Sequence, residues 1–488
     1  MHQKLSIPHY LFLLLIAAVW IVYDLHGDMS SDGAFYIKQA YFFSIGDFAS
    51  AMQVYGWPFF SYLVAETHLI LGTSLFHSAQ LINVFLFLVA CFYFFRILSV
   101  ITTDQNILFS GFIVIITSIP LMDDYLIMLL RDNGAWAGFM AGSYYFVIWH
   151  KRGYLVDSLK WQLSFFASML FRPEAYSAAI LLPFLSFYYH RKTPRNLQYL
   201  FLNFSVMLSA LMCVVIFSFY KHGWNGSLGI DLARFSDLYF RPKLLLTSIG
   251  TPLPLEVVNH ENLKILIDRH QMALKYGFLS YAAIYSWLSG LKILHAATCW
   301  TAIKNKLIAN RDAEALLALF LAALLATITF VFTNLETGGR YWVMSWWIVY
   351  LLSALGLSHW IKILLALDSR WRWLPRLALV VVVLSYVLVV LFDSSPPHRD
   401  RYNAISWLKE HEVDPTEIYT DDSRALGMLL GKYEVKPISL DEALAKGYQY
   451  LLVTDFKQKK LDLELRGYQL LESFPDKQNP KILIYKSN

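Results

Sequence analysis

Charged residues are scarce in this sequence. Only 16% of the 488 residues are charged and 57% are hydrophobic, whereas soluble domains carry about 25% charged residues. The composition therefore excludes an ordinary soluble globular protein and indicates a membrane protein. The net charge of +5 is explained by basic cytoplasmic loops rather than by nucleic-acid binding, and we expect no nucleic-acid partner.

Cysteine and the short catalytic motifs are also scarce. The three cysteines, Cys91, Cys213 and Cys299, all fall within or at the end of apolar segments, so no disulfide framework is expected. The sequence contains no CxxC or HExxH motif, no glycine-rich phosphate loop and no internal repeat. Chemistry that depends on these motifs is therefore not indicated, and function must be sought in scattered polar residues.

The charged residues are most concentrated near the C-terminus. From Asp393 onward the sequence has 14 Lys/Arg and 16 Asp/Glu in 96 residues. This stretch alternates short helical and extended patterns, which favours a small α/β domain with a partly parallel sheet. We therefore predict two domains, a transmembrane body over 1–392 and a soluble domain over 393–488.

Apolar runs define the predicted spans. A helix crosses the hydrocarbon core of a bilayer with about 20 residues, and the first run is interpreted as a retained span because no small-residue cleavage site follows it. The segment 58–72 is short and contains Glu66 and His68, which favours an interfacial helix. The predicted spans are 9–25, 79–100, 106–121, 135–149, 158–171, 174–189, 197–220, 276–298, 313–333, 341–360 and 374–392.

The Lys/Arg distribution orients these spans. With 58–72 interfacial, basic residues concentrate in the loops on the side of the N-terminus, as cytoplasmic loops require. The long loop 221–275 is an exception, with seven Lys/Arg on the outer side. The sequence thus predicts an all-α polytopic membrane protein with about 11 spans, a cytoplasmic N-terminus and an extracytoplasmic C-terminal α/β domain.

This topology places polar residues from four parts of the chain on the outer face. An ionisable group within an apolar stretch is costly and is usually functional or paired. The simpler alternatives are hydrated loop ends and a structural Arg172–Glu174 pair, and both stay open. The residues are Asp28 and Asp32; Asp123, Asp124, Arg131 and Asp132; Arg172 and Glu174; and Glu336 and Arg340.

Four segments in this order resemble the GT-C membrane glycosyltransferases. They are "DGAFYIKQAYFFSIGDF" with "VYGWPFFSYLVAETHLILG", then "LLRDNGAWAGFMAGSYYF", "SMLFRPEAYSAAILLPFL" and "GGRYWVMSWWIVYLLSALGL". The likeness is to the polyprenyl-phosphate-sugar-dependent group, which includes protein O-mannosyltransferases and lipid A aminoarabinose transferases. It runs from about residue 9 to 360.

The resemblance implies an enzyme of the bacterial inner membrane. Such an enzyme moves a sugar from a polyprenyl-phosphate donor to a glycan, lipid or protein acceptor at the outer face. It implies Asp32 and Asp132 as catalytic acids of the first and second loops, and Arg340, Tyr341 and Arg172 at the donor phosphate. Supporting residues are Asp28, Tyr36, Arg131 and Glu174.

Two positions depart from the family pattern. Gly33 follows Asp32 where many members have Glu, and Trp57 precedes Pro58 where aminoarabinose-type enzymes have Lys. The second difference argues against the same donor or the same phosphate contact.

Two alternatives remain open. Glu66, His68 and His77 are candidate ligands for a divalent metal, although Glu66 and His68 stand two residues apart and do not share a helix face. A transporter or flippase of a lipid-linked glycan is the alternative function. Transporters place polar groups near the membrane midplane, often with repeat symmetry, whereas here the polar groups gather at one predicted face.

The predicted topology is testable by thiol labelling. A cysteine placed at Ser423 should react with a membrane-impermeant reagent in intact cells, and one placed at Thr193 should not. Reversed labelling would show that 58–72 spans the membrane or that another span is miscounted.

Overall fold

The computed structural model describes most of the chain, and the structural statements below concern these residues only. The described ranges are 6–26, 30–55, 57–104, 106–126, 128–190, 203–205, 281–334, 339–367, 373–392, 399–413, 417–420, 444–453, 467–474 and 482–487.

Helices dominate the described residues. Nine precede residue 191: α1 Ser6–His26, α2 Ser31–Ser44, α3 Phe48–Val54, α4 Phe59–Leu71, α5 Leu75–Ile101, α6 Ile107–Ile116, α7 Asp132–Arg152, α8 Leu155–Phe171 and α9 Tyr176–His190. Five follow: α10 Ile293–Lys304, α11 Asn310–Asn334, α12 Val343–Ala366, α13 Trp373–Phe392 and α14 Arg399–Glu410. Residues 281–290 are also helical. Shorter turns are the π-helical Pro120–Tyr125 and the 3₁₀ turns Pro173–Ala175 and Gly339–Trp342.

Three of the described helical stretches are long and apolar enough to cross a membrane. They are Leu75–Ile101, Gly339–Ala366 and Trp373–Leu391. In the last stretch only 6% of the residues of its most apolar part are buried, as expected for a lipid-facing helix. These helices indicate an integral membrane protein. The count of about 11 spans stays a prediction, and most of the expected span 197–220 lies outside the described residues.

The described part of 276–298, expected as a single span, is not one continuous helix, because the chain bends at Leu291 and Lys292 is extended, with φ −62° and ψ 157°. Partners from α12 satisfy the carbonyls before the bend. Tyr350 Oη donates to Gly290 O at 3.2 Å and Trp346 Nε1 donates to Trp287 O at 3.1 Å. The spacing of apolar residues in this segment does not predict these hydrogen bonds.

The helix in the expected span 106–121 is shorter than predicted. The α6 helix ends at Ile116, and a π-helical turn begins at Pro120. Thr117 Oγ1 donates to Ile113 O at 2.7 Å and accounts for one of the carbonyls at this end. Proline cannot donate a backbone hydrogen bond, so an α-helix rarely continues through it.

The chain forms two compact units, and each is described by itself. The larger unit comprises residues 1–12, 89–120 and 135–380, and the smaller unit comprises 13–88, 121–134 and 381–488. In the larger unit α12 packs against α6, α10 and α11, and α9 packs against α8 and α11. Gly356 permits close contact with α10, since a Cβ at this position would collide with the Thr298 carbonyl. In the smaller unit α2 packs against α3 and α4.

The C-terminal part holds a four-stranded sheet. The strands are β1 Ile418–Thr420, β2 Tyr450–Val453, β3 Tyr468–Phe474 and β4 Ile482–Ser487, in the spatial order β1-β2-β4-β3. The β1–β2 pair is parallel and the other pairs are antiparallel, so the expected partly parallel sheet is confirmed. Helix α14 covers it with Ala404, Ile405 and Leu408. The domain boundary at 393 stays a prediction.

Candidate active site

Asp32 lies in the first turn of α2, next to a capping serine that also contacts the second loop. Ser30 Oγ accepts a hydrogen bond from Gly33 N at 2.9 Å and donates one to Leu129 O at 3.1 Å. A carboxylate in the first turn is stabilised by the unpaired N–H groups and the dipole of the helix. The cap therefore places a half-buried carboxylate next to the chain that leads into α7.

The second acid, Asp132, begins α7 and is 1% exposed. The preceding chain is held by the buried amide of Asn83 on α5, whose Nδ2 donates to Leu126 O at 3.0 Å and to Met128 O at 3.1 Å. Its Oδ1 accepts from Asn133 Nδ2 at 2.7 Å. One amide side chain thus fixes the second loop on both sides of Asp132.

Tyr36 is buried in an aromatic cluster on α2. Its ring contacts Tyr55 edge-on at 5.7 Å between centroids and Phe60 at 5.4 Å. Gln39, one turn further along α2, donates to the Tyr55 carbonyl at 2.6 Å and to the Ala51 carbonyl at 3.0 Å. These contacts leave Tyr36 4% exposed and limit the positions of its ring.

The electrostatic surroundings of Tyr36 connect both acids. Burial raises the pKa of Tyr36 well above its ordinary value. Arg131 opposes the shift, while Tyr55, Asp132 and Asp32 add to it. Tyr36 therefore stays protonated at physiological pH and can donate a hydrogen bond. Asp32, Arg131 and Asp132 thus all act electrostatically on Tyr36, and we call these four residues the acid cluster.

Arg131 is the cation of the acid cluster. It is 8% exposed, and its guanidinium carbon lies 5.0 Å from the centre of the Tyr55 ring. Its Nη1 is buried and has no hydrogen-bond partner among the described residues. A buried guanidinium with an unused N–H is costly, which fits a place where a substrate oxygen or water enters.

A second cluster lies in the larger unit, at the end of α8. Arg172 is 6% exposed, and its Nε lies 3.3 Å from Glu174 Oε2. Its guanidinium carbon stands 4.6 Å from the Tyr341 ring centre and 5.2 Å from that of Phe330. The Arg172–Glu174 pair that was one alternative interpretation of this segment is therefore present.

The guanidinium of Arg340 also contacts Tyr341. Arg340 Nη2 donates to the Tyr341 hydroxyl at 2.8 Å, and its guanidinium carbon lies 5.0 Å from the ring centre. The same ring stacks on Phe330 at 3.8 Å, and the Tyr341 carbonyl accepts from Thr327 Oγ1 at 2.7 Å. We call Arg172, Glu174, Phe330, Arg340 and Tyr341 the arginine cluster.

The two clusters suit opposite tasks. Counting the described side chains, the acid cluster has two carboxylates and one guanidinium, together with a phenol that stays protonated. Such a set can accept a proton from a hydroxyl and hold a polyol. The arginine cluster has two guanidiniums and one carboxylate. Guanidinium groups bind phosphate oxygens in a planar fork.

The side chains of four residues expected at the outer face lie outside the described part of the structure. Asp28 and Glu336 lie outside the described residues, so a Glu336–Arg340 pair is not observable. Asp123 and Asp124 belong to the π-helical turn.

The proposed metal ligands are not assembled. Among the described residues no group of three His, Cys, Asp or Glu side chains could hold a metal ion. The ring of His68 hydrogen-bonds the Thr73 carbonyl, and His77 Nδ1 lies 2.6 Å from Ser74 Oγ. Glu66 hydrogen-bonds Tyr62 and thereby raises the pKa of that tyrosine. These side chains serve local contacts at the ends of α4 and α5, so this candidate metal site is wrong.

The sequence patterns did not reveal Asn83, Ser30 and Tyr55. Asn83 had a usable signal, because an amide within an apolar span usually has a buried partner. Ser30 also had one, since serine before an acidic first turn is a helix N-cap signal. Tyr55 stands in the "YGWP" segment, but nothing in the sequence places it against Arg131.

Asn83 tests whether the second loop positions Asp132. Replacement by leucine would leave the Leu126 and Met128 carbonyls without their donor, at about 1–3 kcal/mol for each buried group. We expect Asn83→Leu to lower thermal stability and to reduce any transfer activity about 100-fold or more. Ser99→Ala, which removes an exposed side chain on the same helix, is the control and should change neither quantity.

Comparison with known proteins gives one structural likeness and no sequence match. No protein-family model matches the chain, and no curated protein matches it significantly. The chain is similar to the crystal structure of ArnT from Cupriavidus metallidurans bound to undecaprenyl phosphate, with a TM-score of 0.44 and 10% identity over 99% of this chain and 98% of that one. A likeness at this TM-score assigns neither residue roles nor substrates, which rest on the contacts above.

Proposed function

We propose that the chain is an integral membrane glycosyltransferase. It transfers a sugar from a polyprenyl-phosphate donor to a hydroxyl group of a glycan, lipid or protein acceptor on the outer face of the membrane. The donor's polyprenyl tail stays in the lipid while its phosphate and sugar reach polar side chains at helix ends. Membrane lipids and a lipid-linked donor are therefore the expected partners.

The acid cluster is the observation that carries this proposal. Two acids about 100 positions apart in the chain lie around one buried tyrosine, held by the Ser30–Leu129 and Asn83–Asn133 hydrogen bonds. Burying charged groups costs free energy, so a buried set of this kind indicates a functional role. A transferase needs such a group, because the attacking hydroxyl must lose its proton as the new bond forms.

Asp32 suits the base and Asp132 suits a positioning role. Asp32 is half-buried and reachable, whereas Asp132 is buried, with Arg131 and Asn133 as its neighbours in the chain. In the proposed reaction the acceptor oxygen attacks the anomeric carbon while Asp32 takes its proton. The bond from that carbon to the phosphate oxygen breaks in the same step. A single displacement of this kind inverts the anomeric centre.

The arginine cluster supports the departure of the phosphate. Negative charge develops on the leaving polyprenyl phosphate, and preorganised cations stabilise that charge more than the ground state. Arg172 and Arg340 are both oriented by the Tyr341 ring, so little side-chain entropy is lost when phosphate binds. Glu174 offsets one of the two positive charges, which leaves the cluster suited to a single anion.

The first experiment is a donor panel. Purified full-length protein in lipid nanodiscs is incubated with radiolabelled polyprenyl-phosphate hexoses and pentoses, and release of sugar to water or to added acceptors is measured. Turnover of at least one donor is expected. If reconstituted vesicles instead move a labelled lipid-linked sugar across the bilayer without cleaving it, the protein is a transporter and the proposal is wrong.

Asp32→Asn tests the base. The amide keeps the shape of the side chain but cannot accept the proton, so we expect turnover to fall by about 10²–10⁴-fold with normal membrane insertion. Asp132→Asn should cost less if Asp132 orients the acceptor. Asp47→Asn, which alters the half-buried N-cap of the next helix, serves as the control. Full activity of Asp32→Asn would remove Asp32 from this role.

Arg340→Lys tests the phosphate contact. Lysine keeps the charge but loses the planar fork, so the KM for the lipid-phosphate donor should rise more than the KM for the acceptor. Turnover should also fall if the contact strengthens in the transition state. If Arg340 has only a structural role in its loop, Arg340→Ala will leave the KM for the donor unchanged. Steady-state kinetics with varied donor at fixed acceptor distinguishes the two cases.

A further inference from the structure

A group of aromatic and basic side chains in the larger unit has no part in the proposed reaction. It lies near the ends of α5, α7 and α8 and consists of Tyr93, Tyr144, Tyr145, Arg96 and Lys160, which we call the tyrosine–cation patch. The three rings contact one another, with centroids 5.0 Å apart for Tyr144–Tyr145, 5.6 Å for Tyr93–Tyr144 and 6.0 Å for Tyr93–Tyr145. The rings form one continuous surface.

Two cations from different helices lie against these rings. Arg96 Nη2 donates to the Tyr144 hydroxyl at 2.8 Å, and its guanidinium carbon is 5.4 Å from that ring's centre. Lys160 Nζ is 5.3 Å from the centre of the Tyr145 ring. Both cations are exposed at the protein surface. Contact with ring faces limits the positions of these long side chains, so they are held ready rather than free to extend in any direction.

Both cations stand at a similar distance from the ends of their helices. Arg96 stands five residues before the end of α5 at Ile101, and Lys160 stands five residues after the start of α8 at Leu155. At a rise of 1.5 Å per residue, each lies about 7–8 Å from its helix end. Lys151 Nζ donates to Val100 O at 2.7 Å, which places the ends of α5 and α7 side by side. The patch therefore occupies one level, next to the helix ends of an apolar bundle.

The charge of the patch is not balanced by the described part of the protein. Among the described residues neither Arg96 nor Lys160 forms an ion pair. Two acids on neighbouring helix ends are used elsewhere, since Asp104 pairs with Lys362 at 3.1 Å and Asp312 pairs with Lys151 at 3.0 Å. Asp157, in the first turn of α8, is buried and forms no ion pair with a described residue. Two positive charges at the boundary of an apolar layer favour an anion from outside.

We propose that the tyrosine–cation patch binds the phosphate headgroup of an anionic phospholipid. Basic pockets between transmembrane helices bind such headgroups. A lipid phosphate at this level would accept hydrogen bonds from the guanidinium and the ammonium group, with its acyl chains along the apolar surfaces of α5 and α8. A zwitterionic lipid fits less well, because its own cation would approach Arg96 and Lys160.

The test compares lipids in thermal unfolding of the detergent-purified full-length protein. Phosphatidylglycerol should raise the unfolding midpoint at lower concentration than phosphatidylcholine. In the double variant Arg96→Gln/Lys160→Gln the half-maximal phosphatidylglycerol concentration should rise about tenfold or more, because two charge-assisted contacts are lost. The phosphatidylcholine response should stay unchanged.

A matched variant separates a site from general charge attraction. Lys304→Gln/Lys306→Gln removes the same charge from exposed positions of the same unit and should keep the wild-type lipid response. An equal loss in this control, or no lipid preference in the wild type, overturns the proposal. Soluble glycerol phosphate is the third ligand compared in the unfolding measurement. If it stabilises the protein as strongly as phosphatidylglycerol, the patch binds free phosphate esters and the lipid assignment is wrong.

Discussion

The amide of Asn83 is the contact on which the acid cluster depends. It lies in an apolar helix, where a backbone carbonyl without a donor costs about 1–3 kcal/mol, and it supplies donors to two such carbonyls and an acceptor to Asn133. Because the chain on both sides of Asp132 is fixed in this way, Asp132 can remain buried. Ser30 adds the connection to α2 and hence to Asp32. A few uncharged side chains thus determine where the charges stand.

The division of charge between the two clusters has a chemical logic. Proton acceptance requires carboxylates whose negative charge is only partly neutralised, and Arg131 supplies one cation for two acids. Phosphate departure requires the opposite balance, which Arg172 and Arg340 provide around one tyrosine ring. If both kinds of group stood in one mixed set, they would form ion pairs with each other and lose their reactivity toward substrate.

The sequence predicts the helices and the chemistry better than the breaks and the supporting contacts. Apolar runs located α1, α5, α11, α12 and α13, since an apolar run of this length almost always forms a helix that crosses the membrane. The break at Leu291 was missed because its stabilising partners come from α12, far away in the sequence. Strand β3 was missed because a register irregularity between Leu470 and Glu472 interrupts its alternation. Asp32, Tyr36, Arg131 and Asp132 were expected as site residues, yet Asn83 and Ser30, which hold the segments that carry them, were not.

The Tyr341 contacts also bear on how this protein can change over evolution. Thr327 binds the Tyr341 carbonyl and Phe330 stacks on its ring, so the end of α11 and the start of α12 are joined directly. The connecting residues 335–338 then need not hold Arg340 in place. Changes of length in such a connection cost little free energy when its ends are fixed independently. Such a connection can therefore vary in length and composition while Arg340 keeps its position beside Tyr341.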